Sequence, residues 1–300
     1  MSTRLEVHKT CKLYINGQFP RSESGRTTPS HAADGSLIAH VSLASRKDLR
    51  DAVEHARAAQ PKWAAATAYN RGQILYRLAE MLEARAHEFE HELALYQKPT
   101  KPAARSSKSK SSTPRLSPAH EVAASVDRLV HYAGWADKHA QILGGQNPVA
   151  SPHYNFTVPD PTGVVAILCP NSPPLLALVS LLAPVLCPGN TAILLPSQSA
   201  PTIATIFAEA CATSDIPPGV VNILTADHSE LIPHIAPHRD IDAVHAACDS
   251  LQHAAALRAG SAENLKRVRL RQNTDWITAQ GVSWIEPFVE MKTIWHPASV

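Results

Sequence analysis

A long uncharged run constrains the fold of this chain more than any other sequence feature. Residues 161–208 contain no Asp, Glu, Lys or Arg. Proline-containing turns at PNSPP (170–174) and CPGN (187–190) divide the run. The helix left between them, about residues 175–186, is too short to span a bilayer. Strands buried on both faces of a parallel sheet carry continuous apolar runs, so the sequence predicts a βαβ core and no membrane partner.

The same alternation of strand and helix extends on both sides of this run. Strands alternating with helices predict right-handed βαβ units. The fold class is therefore α/β, a Rossmann-like parallel sheet with helices on both faces. The predicted strands are VVAILCP (164–170), TAILLP (191–196), VVNILT (220–225), IDAVHAA (241–247) and NLKRVRLR (264–271).

The first half of the chain has helical periodicity. Residues 46–60, 71–95 and 121–143 place apolar side chains at helical spacing, and each stretch predicts one helix. Before them, KLYINGQF (12–19) alternates around Asn-Gly and predicts a small hairpin.

Residues 97–120 differ in composition from the rest. QKPTKPAARSSKSKSSTPRLSPAH is rich in Lys, Ser and Pro and has no acidic residue. Such a segment buries too little surface to offset the cost of ordering it, so we predict a disordered surface loop. A basic localisation tract, or phosphorylation at Thr113 or Ser117, is the alternative.

Charge and cysteine content exclude several classes of function. The formal net charge is +2 with His neutral, too balanced for a chain whose main partner is nucleic acid. The five cysteines form no CxxC pair, which indicates neither a cysteine zinc site nor a disulfide framework. The opening MSTRLEVHKT has no apolar segment of signal-peptide type, and we expect a reducing, cytoplasmic location.

One short pattern resembles a metal site. HEFEH (87–91) would place His87 and His91 on one helical face, with Glu88 beside them. Glu88, Glu90 and Glu92 crowd the stretch, and no third ligand is evident downstream. We therefore interpret it as a solvated helix face and predict no metal.

Several motifs, in their order along the chain, resemble the aldehyde dehydrogenase superfamily. They are YINGQF, HYAGWADK, PTGVVAILCPNSPP, CPGNTAILLPSQSAP, IPPGVVNILT, DIDAVHAACDS and NLKRVRLRQNT, followed by the ending FVEMKTIWHP. The resemblance implies a cofactor domain, a catalytic domain with a cysteine nucleophile, and a β-extension that joins subunits. It also implies oxidation of aldehydes with NAD or NADP, in which a glutamate activates water.

The cofactor crevice departs from the family pattern at almost every position that carries a role. The family's PWNFP turn is PNSPP here, so Ser172 takes the place of the oxyanion-stabilising asparagine. KPSE becomes LPSQ, with Leu195 for the lysine and Gln198 for the glutamate that hold the ribose. Pro170 and Ser197 complete a vestigial crevice with these residues, and we expect no bound NAD or NADP.

Two further positions depart from the family pattern, and both changes disfavour binding of the cofactor or catalysis. Cys248 lies near the place of the glycine that admits the pyrophosphate, and Asp249 after it would repel a phosphate. LELGG becomes LRQNT, so Arg271 stands where the family has its water-activating glutamate. A guanidinium cannot act as a base near neutral pH.

The resemblance also implies a domain that the sequence does not contain between residue 274 and the last strand. We divide the chain into a mainly helical N-terminal part of the cofactor-type domain (1–152), a Rossmann-like core (163–285) and a β-extension (153–162 and 286–300), with the catalytic domain absent. The pattern is most similar to the non-catalytic second half of tandem, two-part aldehyde dehydrogenases.

These observations predict an inactive aldehyde dehydrogenase-like chain. Its expected role is to form homo-oligomers, or hetero-oligomers with a complete dehydrogenase, through the β-extension. Two alternatives stay open: an NAD(P)-dependent aldehyde oxidoreductase that acts with a partner subunit, and a weak nucleotide-binding module. Cys248 is the reserve candidate for a nucleophile, although strand alternation places it opposite His245.

Overall fold

The computed structural model describes residues 7–97, 116–248 and 250–298. Its helices, in chain order, are α1 (Arg46–Ala65), α2 (Ala68–Glu83), α3 (Ala86–Leu95), α4 (Pro118–Trp135), α5 (His139–Leu143), α6 (Pro174–Leu186), α7 (Pro201–Ala212), α8 (His228–Ile235) and α9 (Leu251–Ala262). Its strands are β1 (Lys9–Cys11), β2 (Thr27–His31), β3 (Leu37–Ser42), β4 (Gly145–Asn147), β5 (His153–Pro161), β6 (Val164–Leu168), β7 (Thr191–Leu195), β8 (Val221–Ile223), β9 (Ala243–Ala247), β10 (Arg267–Arg271) and β11 (Val289–Pro297).

The central sheet confirms the predicted fold class. Its strand order is β10-β9-β6-β7-β8, and every neighbouring pair is parallel. The chain proceeds from β6 towards β8 and then returns to β9 on the other side of β6. The order therefore reverses between β6 and β9, which is the position where open α/β sheets bind their ligands.

Helices cover both faces of this sheet. Val164 and Ala166 of β6 pack in a cluster with α1 and α8, whereas Val165 and Ile167 pack in a second cluster with α2, α4, α6 and α7. Successive side chains of a strand point to opposite faces, so both sets must be apolar. This two-sided burial accounts for the uncharged strands.

Helix α6 accounts for the rest of the uncharged run. It packs between the sheet and α4, and its residues from Leu175 to Leu186 are all buried. A helix enclosed on every side has no polar face to present. Among the described residues, no helix combines the length and the apolarity that crossing a membrane requires.

The β-extension is a separate antiparallel sheet with the order β11-β5-β4. Strand β11 pairs with the whole of β5, from Val289 opposite Pro161 to Pro297 opposite His153. The sequence analysis did not predict β4. In the structure this sheet therefore includes residues from Gly145 onwards and not only from residue 153. Its last strand begins at Val289, after a short 3-10 turn at Glu286–Phe288.

The N-terminal part contains a sheet that the sequence reading missed. Strands β1, β3 and β2 form a three-stranded sheet, so this part is not purely helical. In place of the predicted hairpin the structure has a tight turn, in which Ile15 forms a β-bridge with Gln18. The two residues at the turn, Asn16 and Gly17, both have positive φ. Tyr14 pairs across to Ile223 of β8 and ties this turn to the central sheet.

Three predicted boundaries were wrong. The helix predicted over 71–95 breaks at Arg85, which has φ −105° and ψ 15°, although neither Gly nor Pro marks the position. The helix predicted over 121–143 is α4 followed by α5. The predicted loop 97–120 ends early, because the Ser117 side chain accepts a hydrogen bond from the His120 N–H and caps α4. Residues 98–115, with Thr113, lie outside the described residues.

Candidate functional site

The candidate site lies where β6, β7 and β9 end, on the edge of the sheet where the strand order reverses. The turn after β6 carries Pro170 and Ser172, and the turn after β7 carries Ser197 and Gln198. The structure brings these two turns together through Asn171, which sequence reasoning missed. Asn171 Oδ1 accepts the N–H groups of Gln198 at 3.1 Å and Ser199 at 3.2 Å.

This contact changes what the turn can bind. Backbone N–H groups at the end of a parallel strand are the donors that usually hold a phosphate. Here Asn171 occupies two of them, and its backbone oxygen accepts the Ser197 hydroxyl at 3.2 Å. Two small cavities of about 260 and 250 Å³ flank this part of the crevice. Both are smaller than the usual ligand pocket of roughly 300–1,000 Å³.

Leu195 does not reach the crevice. Its side chain is fully buried in the cluster under α1 and α8. The next residue, Pro196, uses its carbonyl to accept a hydrogen bond from His228 Nε2 at 2.9 Å. Burial lowers the pKa of His228 to about 4, so this imidazole is neutral at pH 7. The position where the family resemblance expects a cation therefore offers none.

The N-terminus of α6 already holds a carboxylate. Glu121 Oε1 of α4 accepts the N–H groups of Leu175 at 2.8 Å and Leu176 at 3.2 Å. Glu121 is only 2% exposed, and it places a carboxylate at the positive end of the helix dipole. Ser172, at the expected oxyanion position, is exposed in the turn just before this helix. The sequence alone indicates only an acidic residue in the first turn of α4 and does not predict the contact of Glu121 with α6.

The end of β9 offers little to an anion. Cys248 is partly buried and packs against the cluster under α1 and α8. Ser250 caps α9 by accepting the His253 N–H at 3.3 Å. Asp249 lies outside the described residues. Cys248 therefore packs against this cluster and precedes a helix whose start is capped by Ser250.

Arg271 is held on the opposite face of the sheet. Its Nε donates to His245 Nε2 at 3.0 Å, and its guanidinium carbon lies 3.7 Å from the centroid of the Trp284 ring. His245 donates from Nδ1 to the Leu181 carbonyl at 3.0 Å, which fixes one neutral tautomer. Burial lowers the pKa of Arg271 to about 10, so its charge persists at pH 7.

The comparisons with known proteins cover most of the chain. The profile of the aldehyde dehydrogenase family matches residues 19–273. The chain belongs to the aldehyde dehydrogenase family. It is 35% identical over 237 residues to cytosolic 10-formyltetrahydrofolate dehydrogenase of Xenopus tropicalis, and this alignment covers 77% of this chain and 24% of that protein. It is 32% identical over 271 residues to retinal dehydrogenase 2 of Gallus gallus, covering 89% of this chain and 49% of that protein.

Solved structures agree with this assignment. The NAD+ complex of aldehyde dehydrogenase from Bacillus cereus matches with a TM-score of 0.77 and 27% identity, over 88% of this chain and 51% of that one. PnpE from Pseudomonas sp. WBC-3 matches with the same TM-score and 28% identity, over 88% and 51%. The chain thus spans between a quarter and a half of the relatives that it matches.

The aldehyde dehydrogenase match ends at residue 273, and the chain then reaches β11 by a short path. Residues 274–288 contact α4 through Arg128 and Tyr132 and lead directly into the strand that pairs with β5. The buried Arg128 guanidinium holds this segment: Nη2 donates to the carbonyls of Trp276 at 2.9 Å and Ile277 at 3.0 Å, and Nη1 donates to that of Ala279.

Four of the five thiols in this aldehyde dehydrogenase-family chain are buried. Burial raises the pKa of Cys187 to about 12, and it raises the pKa of Cys11, Cys169 and Cys211 as well. A thiol acts as a nucleophile only as the thiolate, and burial disfavours the thiolate form of these four. Cys248 is the one cysteine with a partly exposed side chain.

The crevice residues do not fit a dinucleotide. Leu195 stands in the place of the family's ribose-binding lysine. Asn171 accepts the N–H groups after β7, and Glu121 accepts those at the N-terminus of α6. Cys248 and Arg271 lie on opposite faces of the sheet, so the structure does not assemble the predicted positions into one site. His87 is fully exposed, and the described residues contain no cluster of three His, Cys, Asp or Glu side chains suited to a metal ion.

Proposed function

We propose that this chain is a non-catalytic member of the aldehyde dehydrogenase family that acts by associating with other subunits through its β-extension. It neither oxidises aldehydes nor binds NAD or NADP. Its surface for assembly is the β4-β5-β11 sheet, and its partner is a second copy of the chain or a complete aldehyde dehydrogenase.

The observation that carries this proposal is the state of Arg271. The family resemblance places the water-activating carboxylate at this position. A guanidinium stays protonated at pH 7, even with its pKa lowered to about 10. The contacts with His245 and Trp284 also give Arg271 a structural role, because they join β10 to β9 and to the segment that leads into the β-extension.

The thiols and the crevice support the same conclusion. Aldehyde oxidation of the family's type needs a thiolate that attacks the carbonyl and a site that seats the hydride acceptor. Burial favours the protonated form of four thiols, and the N–H groups of the turn after β7 donate to Asn171 in the turn after β6. A pocket without convergent donors gives a nucleotide little binding energy.

An assay of the purified chain tests this proposal. The chain is incubated with NAD or NADP and a panel of aliphatic, aromatic and retinoid aldehydes, and cofactor reduction is followed by absorbance. A complete aldehyde dehydrogenase is the positive control. We expect no turnover above buffer. Sustained turnover by the wild type that is lost in Cys248→Ala would refute the proposal and identify the nucleophile.

The partial exposure of Cys248 is the one observation that favours the alternative oxidoreductase. That activity would need a partner subunit to supply the missing catalytic groups. Mixing the chain with a complete dehydrogenase whose own nucleophilic cysteine has been replaced separates the two functions. We expect the mixture to stay inactive.

A further inference from the structure

Strand β10 is an open edge of the central parallel sheet. It pairs only with β9, and in the part of the chain that the structure describes no strand pairs with its outer side. The Arg267 N–H donates to the Asp242 carbonyl just before β9, so alternate residues from 267 onwards direct their backbone groups towards β9. The N–H and C=O groups of Val268 and Leu270 therefore point outwards, and an edge with such groups can add another strand.

The two faces of β10 differ in chemistry. Its sequence is RVRLR, so Arg267, Arg269 and Arg271 share one face, and the other face carries Val268 and Leu270. The two aliphatic side chains are half-buried against the apolar cluster under α1 and α8. The whole chain has a formal net charge of only +2, so three arginines in one strand form a local concentration of positive charge.

Arg269 is the arginine of this strand that is available to a partner. Arg267 forms an ion pair with Glu290 at 2.7 Å, and Arg271 donates to His245. Arg269 lies between them with an exposed side chain, and the ion pairs among the described residues do not include it. A carboxylate beside it could accept two parallel hydrogen bonds from the guanidinium.

We infer that β10 binds an extended acidic segment of another protein, which adds to the five-stranded central sheet as a further strand. Alternate residues of the added strand share a face, so its Asp or Glu side chains lie beside the arginines and its aliphatic side chains beside Val268 and Leu270. The expected partner sequence therefore alternates acidic and β-branched residues over the five positions that face β10. This surface is separate from the β-extension, and the inference does not depend on the proposed function.

A second copy of β10 is not a suitable partner for this edge. Antiparallel pairing about a two-fold axis would place Arg269 against Arg269 and Arg267 against Arg271. Like charges directly opposite each other destabilise a strand pair, whereas opposite charges stabilise it. The charges of the edge thus favour an acidic partner over self-association.

Fluorescence anisotropy with the full chain measures the interaction. The probe is a labelled peptide in which four glutamates alternate with three valines, and the matched control is the same peptide with lysine in place of glutamate. We expect saturable binding of the acidic peptide at micromolar concentration and no binding of the lysine peptide. An oligothymidylate with the same net charge as the acidic peptide distinguishes a peptide strand from a nucleic acid, and we expect it to bind more weakly.

Charge reversal at one residue locates the site. Arg269→Glu should raise the dissociation constant for the acidic peptide about tenfold or more, because it removes an attraction and adds a repulsion. Arg77→Glu makes the same charge change on the exposed surface of α2 and should leave the dissociation constant unchanged. Circular dichroism shows whether each variant is folded.

Amide hydrogen exchange tests whether the backbone of β10 takes part. The acidic peptide should slow exchange of the Val268 and Leu270 N–H groups in the wild type, and this protection should be absent in Arg269→Glu. Failure of the acidic peptide to bind, or equal affinity of wild type and Arg269→Glu, would overturn the inference. Binding without slower exchange at Val268 and Leu270, or equal affinity for the oligothymidylate, would overturn it as well.

Discussion

Arg271 at the end of β10 donates from Nε to Nε2 of His245 in β9, at 3.0 Å. His245 is fully buried and its other ring nitrogen donates to the Leu181 carbonyl of α6. The position at which the aldehyde dehydrogenase family resemblance expects a carboxylate thus links two strands and a helix. This contact gives the side chain of Arg271 a structural role.

Removing the Arg271 contact should cost stability. Arg271→Met loses the hydrogen bond to His245 and the contact with the Trp284 ring, and we expect the free energy of unfolding to fall by about 2 kcal/mol. Arg271→Lys keeps the charge but not the planar donor, so most of the loss should remain. Urea unfolding followed by tryptophan fluorescence measures both. Unfolding of Arg271→Met at the wild-type urea concentration would show that the contact contributes nothing.

Acid should destabilise the chain through its buried histidines. Burial lowers the pKa of His228 to about 4 and that of His245 well below its usual value. The unfolded chain binds these protons near pH 6.5, so the stabilising contribution is complete above pH 6.5 and is lost as pH falls towards 4. His228 alone should account for a loss of about 2 kcal/mol at pH 5.

The unfolding free energies at pH 7.5 and pH 5 measure this effect. His228→Asn keeps a side-chain donor for the Pro196 carbonyl and removes the titrating group, so it should reduce the pH dependence. The exposed His87 provides the control, and His87→Asn should leave that dependence unchanged. Equal pH dependence in wild type and His228→Asn would contradict the assignment.

Gly163 should tolerate no side chain. It has φ +134°, and a Cβ there would collide with Asp242 Oδ2, the carboxylate oxygen that accepts the Arg57 guanidinium and the Val164 N–H. We expect Gly163→Ala to lower the free energy of unfolding by about 3 kcal/mol or more, from strain and lost hydrogen bonds. Gly134 in α4 has no atom within 4 Å of its Cβ position, so Gly134→Ala should stabilise by roughly 1 kcal/mol. Thermal unfolding compares the two.

Arg128 should hold residues 274–285 in place. Replacing this buried guanidinium by Met leaves the carbonyls of Trp276, Ile277 and Ala279 without their donor, and we expect a loss of about 3 kcal/mol or more. Chymotrypsin should then cleave at Trp276 faster than in wild type. The exposed Arg77→Ala is the matched control and should cleave at the wild-type rate. An unchanged cleavage rate in Arg128→Met would mean that other contacts hold the segment.

The central sheet could be predicted from the sequence because strands buried on both faces form continuous uncharged runs. Strand β6 is apolar at every position and β7 at every position after Thr191. The helices between the strands follow from their length and from the turn residues beside them. The break at Arg85 and the sheet of β1, β2 and β3 have no such pattern in the sequence. Strands β1 and β2 are short and mostly exposed, and tertiary packing decides where they form.

The candidate site was only partly predictable for a related reason. Substitutions such as Leu195 and Arg271 are visible in the sequence as departures from a known pattern. The roles of Asn171 and Glu121 could not be predicted from the sequence. Both side chains accept backbone N–H groups, and such groups are present at every residue except proline. Their roles depend on how two turns and two helices meet in space.

A calorimetric titration of the purified chain with NAD+ tests the central claim most directly. The N–H groups of Gln198 and Ser199 donate to Asn171, and Glu121 accepts the N–H groups at the start of α6. The buried Leu195 takes the place of the family's ribose-binding cation. We predict no saturable heat at millimolar cofactor, with a complete aldehyde dehydrogenase titrated in parallel as the positive control. Saturable binding in the micromolar range that is lost in Gln198→Ala would contradict the account.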